Sequence, residues 1–365
     1  MNNNKINLAL LFGGRSTEHE ISILSAKNIY QSIDKDKYTI KAFYISQEGK
    51  IFYIQNLDSF PNNKEDILKL NLKEIYIRMD SEYPFFFIEQ NNVYNIKVDV
   101  FFAITHGTFG EDGSLQGLLK LLNIPFVGCD VLSSALCMDK EAMKQILIAN
   151  QIPIVPFVSY KISEKDKIPY KEIVERLGLP LFVKPARQGS SVGVYKVKTL
   201  EEFKEKVSKA FEYDTKIIIE KSIEGRELEC SVLGNTEIKV TIPGEIRSNH
   251  EFYSYEAKYI DPKGAELYIP APNLTSEKIE KIKNLAFSAY KALYCEGFAR
   301  VDMFYTDKEI YINEINTLPG FTDISMFPKL WEYEGLSQTH LIEEIIQLSI
   351  ERFNISKNIK KTYGY

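Results

Sequence analysis

The sequence predicts an α/β protein in which strands and helices alternate along the chain and form more than one domain. With 365 residues, the chain is longer than a single hydrophobic core usually serves. Its first third alternates continuous apolar runs, which are typical of buried parallel strands, with amphipathic stretches. Residues 298–316 contain two runs of alternating apolar and polar residues around a polar turn, as in an antiparallel hairpin.

The composition argues against several classes of protein. The chain is 44% hydrophobic and 26% charged with a net charge of −5, which gives no footprint for nucleic acid or an anionic membrane. No apolar run reaches transmembrane length, and the first residues lead straight into a strand, so no signal peptide is expected. The four cysteines lack the spacing of a zinc site, which indicates reduced thiols in a cytoplasmic protein.

The N-terminal third is predicted to form an open, mainly parallel sheet with helices on its faces. Strands are expected at 6–12, 41–45, 98–104 and 124–128, and helices at 20–33 and 114–122. Ligands of such sheets bind at the carboxyl ends of strands, where Gly13-Gly14 and His106-Gly107 fall. Glu20 starts the first helix, so its carboxylate can either stabilise the helix N-terminus or bind the ammonium of an amino acid.

Two further units are expected to follow. In the second, helices are predicted at 139–150, 170–177 and 200–211, and strands at 154–160, 181–184, 192–198 and 216–220. In the third, we expect a strand at 227–233, a helix at 276–293, the hairpin and a final helix at 339–352. The charged, aromatic segment from 246 to 269 is predicted to be a long loop that acts as an active-site lid.

The hairpin carries the strongest chemical signal. Opposed residues of an antiparallel pair have a constant index sum, so a turn centred on Lys308 sets Asp302 opposite Glu314. The same register sets Arg300 opposite Asn316 on the same face. Two carboxylates and an amide, without His or Cys, are suited to Mg²⁺. A carboxylate pair that faces solvent is the competing interpretation, and a register slip of one residue would remove the cluster.

A second signal is the loop VKPARQGSSVG at 183–193, which joins two predicted strands. Its glycines let backbone N–H groups approach an anion, and Lys184 supplies a positive charge for a phosphate. A plain hairpin turn is the alternative. Lys140, at the start of a helix, can likewise reach a phosphate or be a solvated surface lysine. Neither a Walker A motif nor a Rossmann fingerprint occurs in the chain.

These motifs, in this order, resemble those of the D-alanine–D-alanine ligases of the ATP-grasp superfamily. The segments HGTFGEDG, CMDK, VKPARQGSSVGV, EFYSYEAKY, ARVD and NEINTLPGFT extend the resemblance over almost the whole chain. The resemblance implies an N-terminal α/β substrate domain at 1–132. A central ATP-grasp subdomain at 133–220 and a C-terminal catalytic subdomain at 221–365 would enclose the nucleotide. It implies an enzyme that joins two D-alanine molecules through an acyl phosphate, for peptidoglycan synthesis.

The resemblance also implies roles for individual residues. ATP would be bound by Lys140, Lys184, Glu220, Lys221, Ile223, Glu227, Phe304 and Asn313. Two Mg²⁺ ions, which Mn²⁺ can replace, would be bound by Asp302, Glu314 and Asn316. The positions near the substrates would be Glu20 and His106 for the first D-alanine, and Ser325 and Met326 for the second, with Lys258 as a further substrate-binding residue. Arg300 and the Gly320 amide would bind the oxyanion, and Ser190 and Tyr259 would link Glu20 to the lid at 252–272.

Two other functions fit the same residues. A D-alanine–D-serine ligase would need few changes near Ser325 and Met326. A nucleotide-binding regulator without turnover is a third hypothesis, against which the complete Asp302, Glu314 and Asn316 set argues. As an enzyme of this family, the protein is expected to be a cytoplasmic homodimer whose partners are D-alanine and ATP.

Overall fold

The protein is described by a computed structural model that covers residues 5–57, 59–79, 81–249 and 264–360. Its helices are His19–Ser32, Lys64–Ile67, Ser114–Leu121, Val131–Met138, Lys140–Ala149, Tyr170–Leu177, Leu200–Ala210, Ser276–Ala292, Met326–Tyr333 and Gln338–Lys357, with a 3-10 helix at Ile162–Lys167. Its strands are β1 (Ile6–Gly13), β2 (Tyr38–Ile45), β3 (Ile51–Ile54), β4 (Leu72–Glu74), β5 (Tyr76–Ile77), β6 (Phe85–Glu89), β7 (Asn92–Ile96), β8 (Val100–Ala103), β9 (Phe157–Lys161), β10 (Leu181–Pro185), β11 (Tyr195–Val197), β12 (Lys216–Lys221), β13 (Arg226–Leu233), β14 (Lys239–Val240), β15 (Gly244–Ser248), β16 (Ala265–Tyr268), β17 (Phe298–Tyr305) and β18 (Ile310–Asn316). The predicted α/β class is confirmed. None of the helices in these ranges is long and apolar enough to cross a membrane.

The N-terminal sheet has the strand order β4-β3-β2-β1-β8. Its three strands at the β8 side are parallel, as predicted, and β1 is buried along most of its length because helices cover both faces of such a sheet. Beyond β2 the sheet continues with antiparallel β3 and β4, and β5, β6 and β7 form a separate small sheet. These strands come from residues 51–96, a stretch in which no strand or helix was predicted.

Two antiparallel sheets follow. The central sheet has the order β11-β10-β12-β9, and the C-terminal sheet has the order β16-β15-β13-β17-β18, with β14 beside β13. The helix Lys140–Ala149 contributes Met143 and Leu147 to the hydrophobic core of the C-terminal sheet. It therefore extends from that sheet toward the central one, although the predicted boundary assigns it to the central unit.

The N-terminal and C-terminal units share one hydrophobic core. Phe102 of the N-terminal sheet packs edge-on against Phe321, with 6.1 Å between ring centroids. Phe321 also contacts Phe298 at the start of β17 and Phe327 of the following helix. This aromatic cluster holds the edge of the N-terminal sheet against the hairpin, so residues from both units can form one site.

The prediction of a loop from 246 to 269 is wrong at both ends. β15 and β16 form an antiparallel pair in which Ile246 lies opposite Leu267. The residues of these two strands alternate too weakly for the sequence to reveal strands, and the pairing of β15 with β13 supplies the missing stabilisation. Residues 250–263 lie outside the described part of the chain, and with them the predicted lid residues Lys258 and Tyr259.

Candidate active site

Two adjoining cavities lie where the units meet. The first, of about 1080 Å³, is lined by the N-terminal unit, the 188–190 loop and the chain after β18. The second, of about 1420 Å³, is lined by the central and C-terminal sheets. The residues that line both cavities are Lys140, Gln188, Gly189, Ser190, Glu229, Arg300 and Glu314. These seven residues, most of them charged, form the shared wall of the two cavities. Molecules bound in the two cavities can therefore come close enough to react.

The hairpin of β17 and β18 contributes to this shared wall, and its strands pair in the register that the sequence predicts. Arg300 lies opposite Asn316, and Asp302 lies opposite Glu314. Near the turn, however, Tyr305 pairs with Ile310, so the turn is centred half a residue earlier than predicted. A β-bulge next to Asp302 inserts one residue and restores the register at the active end.

The bulge has a direct consequence for the site. In a regular strand, neighbouring side chains point to opposite faces, whereas a bulge can turn two successive side chains the same way. Asn313 and Glu314 accordingly both line the second cavity. The bulge therefore adds an amide to the carboxylates at this point of the wall.

Three carboxylates lie abreast on neighbouring strands. Glu229 of β13 is opposite Asp302, which is opposite Glu314. Arg300 donates two hydrogen bonds of 2.7 Å to Asp302, from Nε and Nη2, and its Nε is 3.0 Å from Glu229 Oε2. The guanidinium is largely buried, and burial opposes its charge, but Asp302 and Glu229 more than compensate and raise the pKa of Arg300 well above its usual range.

The predicted metal ligands offer oxygen donors of the kind that suits a hard divalent cation. The described residues contain no cluster of three Asp, Glu, His or Cys side chains close enough to hold a metal ion. The predicted set is instead two carboxylates and the Asn316 amide, which are oxygen donors of the kind that Mg²⁺ prefers. In the structure, Arg300 balances Asp302, and Lys140 Nζ lies 3.5 Å from Glu314 Oε2. The carboxylates that would attract a cation are thus present, and each is paired with a basic side chain.

Basic side chains from the central sheet and its neighbouring helix face the second cavity. Lys140 donates a hydrogen bond of 2.7 Å from Nζ to the Gln188 carbonyl oxygen, which draws its ammonium toward the 188–191 loop. Lys184 Nζ is 2.5 Å from Glu220 Oε2. Burial opposes the negative charge of Glu220, but neighbouring lysines outweigh burial and lower the pKa of its carboxyl to about 2. Lys184 and Glu220 are therefore both charged.

All eight predicted nucleotide-binding residues line the second cavity. Phe304 lies opposite Glu227 on the C-terminal sheet, and Phe182 lies opposite Glu220 on the central sheet. The cavity is thus bounded by an aromatic ring from each sheet, with carboxylates beside them. A flat aromatic heterocycle can be held between two such walls.

The predicted role of Glu20 is not supported by its position. Glu20 is exposed on the first turn of its helix and lines neither cavity, whereas Glu18, two residues earlier, is buried in the first cavity. The Ser190 hydroxyl donates a hydrogen bond to Glu18 Oε1. Glu18 is the N-cap residue, and two residues of helix rotate the side chain by about 200°, so Glu20 points away from the side on which Glu18 contacts the 189–190 loop.

Glycine leaves room for the Glu18 carboxylate on both sides. Gly107 has φ +76°, and a Cβ atom there would lie 2.8 Å from Glu18 Oε2. A Cβ atom on Gly189 would lie 2.9 Å from the same oxygen. The glycines that the sequence analysis placed at a ligand thus allow backbone from two units to close around one carboxylate.

Two more titratable residues complete the first cavity. Glu111 accepts a 2.6 Å hydrogen bond from the Gly107 N–H, and burial, reinforced by the charge of Glu18, raises the pKa of its carboxyl to about 8. Burial lowers the pKa of His106. His106 contacts the Leu318 carbonyl oxygen at 3.1 Å through Nδ1 and Ser25 Oγ at 3.2 Å through Nε2. His106 therefore fixes the position of the 317–321 turn from the side of the N-terminal sheet.

The turn after β18 brings the remaining predicted residues into the first cavity. Gly320, Ser325 and Met326 all line it. The Thr322 N–H donates a 3.0 Å hydrogen bond to Ser325 Oγ, and a Cβ atom on Gly320 would lie 2.9 Å from that oxygen. Ser325 thereby closes the turn and begins the helix that starts at Met326.

Sequence reasoning missed Glu18, Glu111 and Glu229, and each had a local signal. Glu18 lies just before the first predicted helix, and Glu111 belongs to the segment HGTFGEDG, which follows a predicted strand. Glu229 is a charged residue inside a strand that is otherwise buried, RELECSVL. A buried strand rarely carries a carboxylate without a partner, so the residue itself indicated a cationic neighbour.

Comparisons with known proteins agree with this geometry. Residues 7–129 match the family model described as D-ala D-ala ligase N-terminus, and residues 146–347 match the one described as D-ala D-ala ligase C-terminus. The chain is 45% identical to D-alanine--D-alanine ligase A of Salmonella typhimurium over 363 residues, which covers 98% of this chain and 99% of the relative. It is 46% identical to a D-alanine--D-alanine ligase of Oceanobacillus iheyensis over the same length and the same shares.

Solved structures give the same result. The D-alanine-D-alanine ligase of Coxiella burnetii superposes with a TM-score of 0.84 and is 37% identical, covering 97% of each chain. The VanG D-Ala:D-Ser ligase of Enterococcus faecalis superposes with a TM-score of 0.83 and is 36% identical, covering 95% of this chain and 100% of that one. Both likenesses extend over nearly the whole of this chain.

Proposed function

The chain belongs to the D-alanine–D-alanine ligase family, and from this premise we propose which of its residues carry each step of the family's reaction. The protein is an ATP-dependent ligase that joins two D-alanine molecules to D-alanyl-D-alanine, a building block of peptidoglycan. The observation that best supports the assignment of residues is the shared wall of the two cavities, with Arg300 and Glu314 exposed to both. We assign the first cavity to the amino acids and the second to ATP.

ATP would lie between the two sheets, with its adenine between Phe304 and Phe182. Glu227 is placed beside Phe304 to accept hydrogen bonds from the ribose. Lys184 and Lys140 would bind the phosphates, since both line this cavity and Lys140 also lines the first. The other predicted contacts are with Glu220, Lys221, Ile223 and Asn313.

Asp302, Glu314 and Asn316 would hold Mg²⁺, which when bound neutralises charge on the transferring phosphoryl group. Arg300 and Lys140 would then lose their carboxylate partners in part and be available to the reacting groups. Glu229 would retain Arg300 at the wall, because its carboxylate already lies 3.0 Å from the guanidinium.

The first D-alanine would bind with its ammonium near Glu18 and its carboxylate at the wall. One carboxylate oxygen attacks the γ-phosphorus of ATP, the bond from that phosphorus to the bridging oxygen breaks, and ADP leaves. Lys140 and Lys184 stabilise the negative charge in this step, because phosphoryl transfer is governed mainly by positioning and electrostatics. The product is D-alanyl phosphate, which lies at the shared wall and has to be protected there from hydrolysis by water.

The second D-alanine would bind near Ser325 and Met326. Its amine, once deprotonated, attacks the carbonyl carbon of the acyl phosphate, and a tetrahedral oxyanion forms. Arg300 and the Gly320 N–H stabilise the oxyanion, and phosphate leaves with one oxygen of the original carboxylate. The acceptor pocket is the part of the site in which a D-alanine and a D-serine ligase would differ.

We expect Glu18→Gln to lower kcat/KM for D-alanine by roughly 10- to 100-fold, the usual effect of losing a hydrogen bond to a charged group. The loss should be largely in KM for D-alanine, while KM for ATP changes little, because Glu18 lines only the first cavity. Glu20→Gln is the matched control, since Glu20 is exposed two residues away. Steady-state kinetics of both variants check this. An impaired Glu20→Gln beside a normal Glu18→Gln would contradict the assignment.

The same family membership supports a cytoplasmic homodimer. The substrates are charged, water-soluble molecules, and no helix in the described ranges can cross a membrane. Sedimentation of the purified protein decides the oligomeric state.

A further inference from the structure

One buried charge in the structure has no place in the mechanism above. Lys144 is fully buried, one helical turn after Lys140 on the same face of its helix. It lines neither of the two cavities, so it cannot contact a substrate directly. Burying an ammonium is costly unless a carboxylate lies close by, so the residue needs a specific explanation.

The partner of Lys144 is Glu220, which it shares with Lys184. Lys144 Nζ lies 2.8 Å from Glu220 Oε1, and Lys184 Nζ lies 2.5 Å from Glu220 Oε2. Glu220 is only 2% exposed and is flanked in the sheet by Phe157 and Phe182. Both oxygens of one buried carboxylate are therefore occupied by lysines, of which only Lys184 reaches the second cavity.

This sharing decides how much positive charge Lys184 presents to a phosphate. If Glu220 had Lys184 as its only partner, the two charges would form a closed pair and largely cancel. With Lys144 on the opposite oxygen, the negative charge of Glu220 stays compensated when the Lys184 ammonium moves toward a phosphate. The balance matters because six carboxylates line the second cavity against five basic side chains.

We propose that Lys144 is a positioning residue for nucleotide binding, which holds the Glu220 carboxylate and thereby leaves the charge of Lys184 available to the phosphates of ATP. The proposal rests on the assignment of ATP to the second cavity. Lys140 and Glu314 are the other charged groups nearby, and they already pair with each other. Lys144 thus acts through Glu220 and Lys184 alone.

The test is nucleotide binding to Lys144→Met, measured by displacement of a fluorescent ATP analogue in the presence of Mg²⁺. We expect ATP and ADP to bind roughly tenfold more weakly, as expected when one charge near the phosphates is cancelled at a partly screened site. Adenosine, which has no phosphate, should bind as it does to the wild type. The melting temperature without nucleotide should change little, because Lys184 still pairs with Glu220 and Met fills the space of the lysine stem.

The double variant Lys144→Met/Glu220→Gln separates this account from a purely structural one. With Glu220 neutral, nothing cancels Lys184, so the double variant should bind ATP more tightly than Lys144→Met alone. A structural lysine would give the opposite pattern, with a lower melting temperature, unchanged ATP affinity relative to adenosine and no recovery in the double variant. If Lys144→Met does not fold, the double variant is compared with Glu220→Gln. Because Lys144 acts through the Glu220 carboxylate, the two should bind ATP equally, and clearly weaker binding by the double variant overturns the proposal.

Failure of the proposal is distinguishable from failure of the proposed function. Wild-type protein that does not bind ATP in this assay contradicts the assignment of the second cavity. Wild-type protein that binds ATP, beside a Lys144→Met variant that binds it equally well, contradicts only the role of Lys144.

Discussion

Glu314→Gln is expected to lower kcat by at least about 10²-fold at saturating Mg²⁺ and substrates, because charge that develops in the transition state is left uncompensated. Glu314 lines both cavities and stands next to Asp302 in the row of carboxylates, so its charge acts where the phosphoryl group moves. The fold should survive, because Gln has the same size and the Glu314 side chain is 31% exposed. Its pair with Lys140 spans 3.5 Å and adds little to stability at that exposure.

The matched control for Glu314→Gln is Asp307→Asn, in the exposed turn of the same hairpin. It removes one carboxylate from the hairpin at a distance from both cavities, so kcat should stay at the wild-type value. Turnover and melting temperature of the two variants are measured side by side. Wild-type turnover by Glu314→Gln would mean that the metal set is misplaced.

Arg300→Lys is expected to lower kcat by about 10²- to 10³-fold, the range seen when an oxyanion donor is removed. Lysine keeps the positive charge beside Asp302 and Glu229, but it cannot reproduce the two parallel hydrogen bonds of the guanidinium. The developing oxyanion would then meet a donor at the wrong distance and angle. KM for ATP should change much less than kcat, since the phosphates are bound by the lysines.

Arg352 provides a control of matched burial for this prediction. Its side chain is 15% exposed against 16% for Arg300, but it donates to the Gly128 and Phe126 carbonyl oxygens and lines neither cavity. Arg352→Lys should therefore lower the melting temperature without a comparable loss of kcat. Equal losses of turnover in the two variants would show that Arg300 acts through stability and not at the oxyanion.

The sequence predicted that Asp302 lies opposite Glu314 because the two determinants of this pairing are local. Side chains alternate along each strand, and the turn between the strands is short, so Asp302 and Glu314 had to be close. The bulge that completes the register could not be predicted, because it depends on how β18 fits its neighbours. The predicted and observed turns differ by half a residue, and the bulge compensates for that difference.

The choice between Glu18 and Glu20 shows where sequence reasoning ended. The family resemblance assigned the ammonium to Glu20, and charge alone did not decide between that role and stabilisation of the helix N-terminus. The distinction comes from the path of the 188–191 loop, which belongs to another unit of the chain and contacts Glu18 through Ser190. Contacts between units that are far apart in sequence leave no periodic pattern, and the pairing of Lys144 with Glu220 was hidden for the same reason.

The central claim is that a carboxylate in the first cavity is phosphorylated by ATP in the second and is then attacked by an amine. D-Alanine labelled with ¹⁸O in its carboxylate, incubated with ATP, Mg²⁺ and the protein, tests this claim most directly. Mass spectrometry should find D-alanyl-D-alanine together with inorganic phosphate that carries one ¹⁸O atom per turnover. Unlabelled phosphate would contradict the account, because the oxygen would then have come from water. ADP formed without dipeptide would also contradict it, because no amine would then have attacked.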